Sequence, residues 1–188
     1  MAFIRQLLHF IYPTYCLHCD GPVKRANQTL CPECFLEIEW IEKKERCPMC
    51  WGPDKCRKCP PLHPHRSLFE SCGPIPLLFQ EFQRTKRANT LASFIVLGLD
   101  RTSWPLPDII VPLTEGPFHK SEPSYLLAKT LAKMLELPCL LPSNKVRDKT
   151  VLFLIDRLSS AKKVIEARSY LKGFFPRKVY SIALIDER

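Results

Sequence analysis

VLFLIDRLSSAKK, residues 151–163, decides how this chain is read. Its first six residues form a continuous apolar run closed by an acid, the pattern of a strand buried on both faces of a parallel sheet. Arg157, Leu158, Ser159 and Ser160 follow, and residues 160–172 then take up helical spacing. A strand feeding a helix through a short polar connection is half of a strand–helix–strand unit. The sequence on either side repeats that unit.

Upstream, DIIVPL (108–113) is a second buried strand, and SEPSYLLAKTLAKMLEL (121–137) an amphipathic helix with Leu126, Leu127, Leu131, Met134 and Leu135 on one side. Glu122 and Pro123 suit its first turn. Residues 74–97 read as one or two helices with a break near Lys86–Asn89, and VYSIAL (179–184) as a third strand. Strands alternating with helices through short links predict a parallel, doubly wound α/β sheet. Ligands bind such sheets at the carboxyl ends of the strands, here Pro112–Lys120 and Asp156–Lys163.

The first third of the chain is different. Four C-x-x-C pairs, Cys16–Cys19, Cys31–Cys34, Cys47–Cys50 and Cys56–Cys59, supply eight of the ten cysteines. Two residues between thiolates let one tight turn present both sulfurs to one ion, so eight ligands make two four-cysteine zinc sites. Sequential pairing, with Cys16, Cys19, Cys31 and Cys34 at one ion and Cys47, Cys50, Cys56 and Cys59 at the other, is favoured; spacing leaves a cross-braced pairing open. All-thiolate sites have no open coordination position, which makes the zinc structural. A disulfide framework belongs to secreted chains, and four redox C-x-x-C sites so close together would be odd. Gly21 and Gly52 follow the second cysteine of a pair by two residues, where positive φ would aim backbone N–H groups at the sulfurs.

Four thiolates per ion leave no vacancy for His18, His63 and His65, which read as surface histidines. Cys72 and Cys139 lie outside the pairs and read as small buried hydrophobes. Trp40 and Trp51 are expected to pack between the ribbons. Three prolines in CPPLHPHRS (59–67) suggest a stiff linker. The expected domains are therefore 1–65, an N-terminal helix (Phe3–Tyr12) with a double zinc ribbon, and 66–188, the α/β unit.

The formal charge of +9 is unevenly spread. Residues 1–72 carry a formal +2, which two zinc ions on eight thiolates would turn to about −2; residues 73–188 carry +7. The basic character thus belongs to the α/β half, which argues against the ribbons as nucleic-acid readers. Lys162, Lys163, Arg168, Lys172, Arg177 and Lys178 are the cations expected to meet phosphates. No apolar run approaches the roughly 18–20 residues of a membrane span. The broken apolar start lacks a signal-peptide cleavage pattern, so a cytoplasmic location is expected.

In this order of features the chain resembles the ComF family of competence-associated proteins, which join a double zinc ribbon to a type I phosphoribosyltransferase domain. The likeness rests on the apolar N-terminal helix ending in proline, the C-x-x-C series, PDIIVPL, YLLAKTLAKMLELP and VLFLID. The resemblance implies a reduced phosphoribosyltransferase-like sheet and a phosphoribosyl pyrophosphate (PRPP) loop opened by VLFLID. It makes Asp156, Ser159 and Ser160 the residual loop candidates for PRPP and its Mg²⁺. It also implies single-stranded DNA and DNA-uptake or helicase-type proteins as partners.

Departures from the family pattern bear on catalysis. The family's loop resembles V-L-L-V-D-D-V-x-T-T-G-A-T. Here Arg157 stands where a second acid would be, and Ala161, Lys162 and Lys163 follow the serines in place of a glycine turn. HKSEP (119–123) matches none of the family's R-G-F-N-Q segment, and the region that normally includes the flexible loop is reduced to 138–150. The expectation is a catalytically impaired, zinc-stabilised accessory factor in DNA uptake or single-strand handling. An active or PRPP-binding transferase and a protein-binding adaptor are the alternatives.

Overall fold

The structure, a computed structural model, describes residues 14–25, 28–48, 50–52, 64–114 and 122–188. One all-parallel sheet holds the strands β1 (His65–Glu70), β2 (Ile109–Pro112), β3 (Thr150–Leu158) and β4 (Lys178–Asp186) in the order β1-β4-β3-β2. A short helix, α1 (Pro32–Leu36), lies in the cysteine module. Helices α2 (Ile75–Thr85) and α3 (Asn89–Asp100) lead from β1 to β2, α4 (Pro123–Met134) from β2 to β3, and α5 (Ala161–Lys172) from β3 to β4.

Side chains of β2, β3 and β4 alternate between two apolar clusters. Ile110, Leu152, Leu154, Tyr180, Ile182 and Leu184 face the cluster that α2, α3 and α4 complete. Ile109, Val111, Val151, Phe153, Ile155, Val179 and Ala183 face the other, closed by Val164 and Leu171 of α5. Burial on both faces explains why these strands read as unbroken apolar runs rather than alternating ones. The expected helix break is found: Lys86 caps α2 in the left-handed region (φ 60°), its N–H donating to the Phe82 carbonyl at 2.7 Å. Met134, expected on the buried side of α4, is 41% exposed; Ser124, Leu127, Ala128, Leu131 and Ala132 are the residues that helix buries.

One strand was not expected. Residues 65–67, read as the end of a proline-stiffened linker, begin β1, which pairs with β4 from His65–Ser181 to Glu70–Asp186. HRSLFE has no β-branched residue and a single aromatic, Phe69, so its extended state owes more to the edge that β4 offers than to propensity. His65 is therefore no surface residue. It is buried, its ring nitrogens 3.0 Å from Ser181 Oγ and 3.2 Å from Ser67 Oγ. Burial first, and then the charge of Arg188, brings its pKa down to about 3.

The same face buries Arg168, whose guanidinium donates to the Val179 carbonyl at 3.3 Å. Beside it, Asp186 is 4% exposed and receives a two-pronged bond from Arg188, Nε to Oδ1 at 2.9 Å and Nη2 to Oδ2 at 2.8 Å. Burial opposes the charge on Asp186, but these bonds and the Arg188 charge outweigh it and hold the carboxyl below its usual range.

Candidate functional site

The first two cysteine pairs converge. The Sγ atoms of Cys16, Cys19, Cys31 and Cys34 all lie within 4.8 Å of one another. Cys19 and Cys31 sulfurs are 3.7 Å apart, too far for a disulfide. A tetrahedral zinc with Zn–S near 2.3 Å requires sulfur separations of about 3.8 Å. Among the described residues, the sequential grouping is thus the one this geometry brings together, and the donor set fits zinc.

Backbone amides support the sulfurs, as they do around metal thiolates. His18 N–H points at Cys16 Sγ (3.5 Å) and Cys34 N–H at Cys31 Sγ (3.4 Å). Burial resists ionisation of Cys16, yet amides of Cys19, Cys31 and His18 outweigh it and lower the thiol to about 6. Burial and the three neighbouring sulfurs push Cys34 the other way. Four thiolates so close together need a cation between them. His18 is exposed and its Nδ1 lies 3.3 Å from Cys34 Sγ and 3.2 Å from a Glu37 carboxylate oxygen, beside the sulfur set.

Cys47 and Cys50 repeat the first turn almost bond for bond. Cys16 N–H donates to the Gly21 carbonyl (2.8 Å) and Asp20 N–H to the Cys16 carbonyl (3.1 Å). Cys47 N–H donates to Gly52 (3.1 Å) and Trp51 N–H to Cys47 (2.8 Å). The glycines meet expectation in part: Gly52 N–H points at Cys50 Sγ at 3.4 Å, but neither glycine has positive φ. Positive φ falls on Asp20 (55°) and Trp51 (58°), one residue earlier in each turn. A Cβ at Gly21 or Gly52 would lie 3.3 Å from the Cys19 or Cys50 sulfur, a tight contact that glycine avoids. Cys56, Cys59 and His63, like the helix Phe3–Tyr12, lie outside the described residues.

The cysteine module is not an appendage. Cys16, Val23, Leu30, Cys31 and Cys34 belong to one apolar cluster with Leu68, Phe69 and Phe94 of the α/β unit. Trp40 and Trp51, expected between the ribbons, pack on that unit instead: Trp40 lies 4.6 Å from the Phe69 ring, and Arg66 of β1 stacks 4.6 Å over Trp51. Cys72 is exposed, the alternative its place near the linker left open, and Cys139 is half-buried rather than fully buried.

A cleft of about 760 Å³ opens at the carboxyl ends of β2 and β3, where a doubly wound sheet places ligands. Asp156 and Ser159 line it with Ser124 of α4. The residual loop candidates are arranged unlike a phosphate cradle. β3 does not end at Asp156 but continues in register with β4 through Arg157–Ile185 and Leu158–Asp186. Helix α5 starts at Ala161, so Ser159 and Ser160 are the whole connection. Asp156 Oδ1 accepts from Ser124 Oγ (2.8 Å) and from the Arg157 N–H (2.9 Å). Arg157 reaches Glu187 at 3.3 Å and stacks over Phe79. Glu122, Asp156, Glu166 and Glu187 set four carboxylates around the cleft against Arg157 and Lys163, an unfavourable field for a polyphosphate.

The six cations of the sequence reading do not form one surface. Lys162 and Lys163 sit at the start of α5, near the cleft. Arg168 is buried, a position no cation-pattern can reveal. Lys172, Arg177 and Lys178 are exposed at the opposite end of the sheet. No helix among the described residues is long and apolar enough to cross a membrane. In comparison with known proteins, no family model and no curated sequence matches the chain.

Proposed function

We propose that this chain is a ComF-type accessory protein: a zinc-stapled α/β scaffold of phosphoribosyltransferase ancestry that handles single-stranded DNA and has lost transfer chemistry. The observation that carries the loss is the two-residue connection between β3 and α5. A phosphate cradle needs a run of free backbone N–H groups curling round the anion before the helix begins. Here the strand keeps its ladder through Leu158, and Asp156 spends its carboxylate on Ser124 and its own neighbour's amide. The acidic cleft supports the same reading.

Thermal unfolding with millimolar Mg²⁺–PRPP tests it. Ligand at 100 times Kd would add about 2.7 kcal/mol of stability, several degrees for a chain of this size. The expected shift is nil, together with salt-sensitive binding of a labelled oligonucleotide. A saturable PRPP-dependent shift, or pyrophosphate release with a base acceptor, overturns the loss of chemistry.

A protein-binding adaptor is the second reading, favoured by a groove of about 480 Å³ between α1 and α3 lined by Leu30, Phe35, Leu36 and Phe94. Phe35 is 51% and Leu36 82% exposed there. A photo-crosslinker at Leu36 that captures no defined partner in cells would remove it.

A further inference from the structure

The amino-terminal end of the sheet, opposite the cleft, carries a feature that neither the zinc module nor the cleft explains. Two segments meet there, 143–149 before β3 and 170–178 before β4. Together they hold Lys145, Arg147, Lys149, Lys172, Arg177 and Lys178 against two carboxylates, their own Asp148 and Asp108 from before β2. All six cations are exposed. Lys145, Arg147 and Lys149 were not part of the cation set read from sequence, because the twenty residues 150–169 separate the two segments.

Backbone bonds lock the segments into one surface. Asp148 N–H donates to the Phe175 carbonyl at 3.0 Å, Arg177 N–H to the Lys149 carbonyl at 3.0 Å, and Phe175 N–H to the Lys172 carbonyl at 2.9 Å. Asp148 (φ 57°) and Phe175 (φ 55°) both adopt the left-handed region, which side chains other than glycine enter at an energetic cost. An apolar ring stands outward here: Phe175 is 67% exposed, with the Arg147 guanidinium 5.7 Å from its centroid. Tyr170, 64% exposed, stands 5.3 Å from the Phe174 ring. Of the six cations, Arg177 is tied down, to Asp108 at 3.2 Å and Thr150 Oγ1 at 2.9 Å.

We propose that this basic, aromatic face is where the protein holds single-stranded nucleic acid, with Lys145, Arg147, Lys149 and Lys172 meeting phosphates and Phe175 and Tyr170 stacking on bases. The inference rests on the DNA-handling reading above and assigns it a surface. Cations alone would suit an acidic protein or a lipid headgroup equally. Rings presented among them to solvent are what an unpaired base can use, since every base has a π-face to stack. Duplex DNA offers no such face, so single strands are the preferred partner. The face lies a nine-residue strand, about 30 Å, from the cleft.

Fluorescence anisotropy of a labelled 20-mer of thymidylate, titrated with the intact zinc-loaded protein across salt, tests the assignment. Lys145→Gln/Lys149→Gln/Lys172→Gln should weaken binding roughly 100-fold near 0.1 M salt and reduce the log–log salt slope by about 2, since each lost single-strand phosphate contact removes about 0.7. Phe175→Asn keeps a residue that tolerates the left-handed region and should weaken binding about tenfold with the slope unchanged. Circular dichroism confirms that each variant is folded. No binding of the 20-mer at low salt overturns the DNA reading itself. Binding that ignores both variants, or that falls instead with Lys162→Gln/Lys163→Gln or Lys43→Gln/Lys44→Gln, overturns the placement alone. Equal binding of duplex, or binding of anionic phosphatidylserine vesicles in place of the 20-mer, overturns the choice of partner.

Discussion

The indole N–H of Trp51 donates to the carbonyl of Ser67 at 3.2 Å, tying the second cysteine turn to the edge strand β1. Arg188 adds a second tie from the end of β4, Nη1 to the Cys50 carbonyl at 3.0 Å. Order in the cysteine turn and order in the sheet are therefore one problem. Stripping metal with a strong chelator should lower the unfolding midpoint of the sheet itself, with far-ultraviolet circular dichroism and tryptophan emission moving together. Trp51→Phe, which removes the donor and keeps a ring under Arg66, should cost about 1–2 kcal/mol in urea unfolding. Two separate transitions after chelation would show that module and sheet are independent.

His65 makes stability depend on pH. Its folded pKa is about 3, whereas an unfolded histidine titrates near 6.5. Between those values the unfolded chain takes up a proton that the folded chain refuses, so stability is complete above about pH 6.5 and falls as pH drops toward 3. At pH 5 the loss from this residue is about 2 kcal/mol. Urea unfolding at pH 7.5 and 5.0 measures it, and His65→Gln should flatten the difference. Arg188, Asp186 and Arg168 are the charged groups around the ring.

Gly98 of α3 is where the helix layer meets β1. A Cβ there would lie 2.5 Å from one Leu68 methyl and 2.9 Å from the other, and Leu68 is buried. Alanine in a helix ordinarily gains up to about 1 kcal/mol over glycine. Overpacking of about 1–3 kcal/mol should win here, making Gly98→Ala net destabilising. In a Leu68→Ala background the sign should reverse; a double-mutant cycle without coupling would refute the contact.

Ser124 is 3% exposed and gives its hydroxyl hydrogen to Asp156. Ser124→Ala should cost about 1 kcal/mol, since the half-buried carboxylate keeps the Arg157 amide and regains water. The Arg157–Glu187 pair is more exposed, and Glu187→Gln should change stability by less than about 0.5 kcal/mol. Equilibrium denaturation of both variants separates a structural carboxylate from a surface pair.

Strands β2, β3 and β4, the α4 and α5 helices and the break between α2 and α3 were legible because each is written in local pattern: apolar runs, helical spacing and a polar interruption near Lys86–Asn89. β1 was not, since prolines precede it and only Phe69 among its residues favours a strand. It is extended because β4 needs a partner on that edge. The surface status of a cation is equally invisible locally. Arg168 falls within a run of exposed lysines in sequence and faces the sheet in space, while Lys149 and Lys178, distant in sequence, are neighbours.

By its sequence alone this protein is determined to be a cysteine-paired module followed by an α/β chain, because tight-turn ligand spacing and two-sided strand burial are short-range constraints. Only the tertiary structure decided which pairs converge, that β3 runs on through Leu158 and joins α5 by two residues, and that two basic segments share one face. Those outcomes depend on pairing between distant strands, whose hydrogen bonds and packing are settled when the sheet assembles.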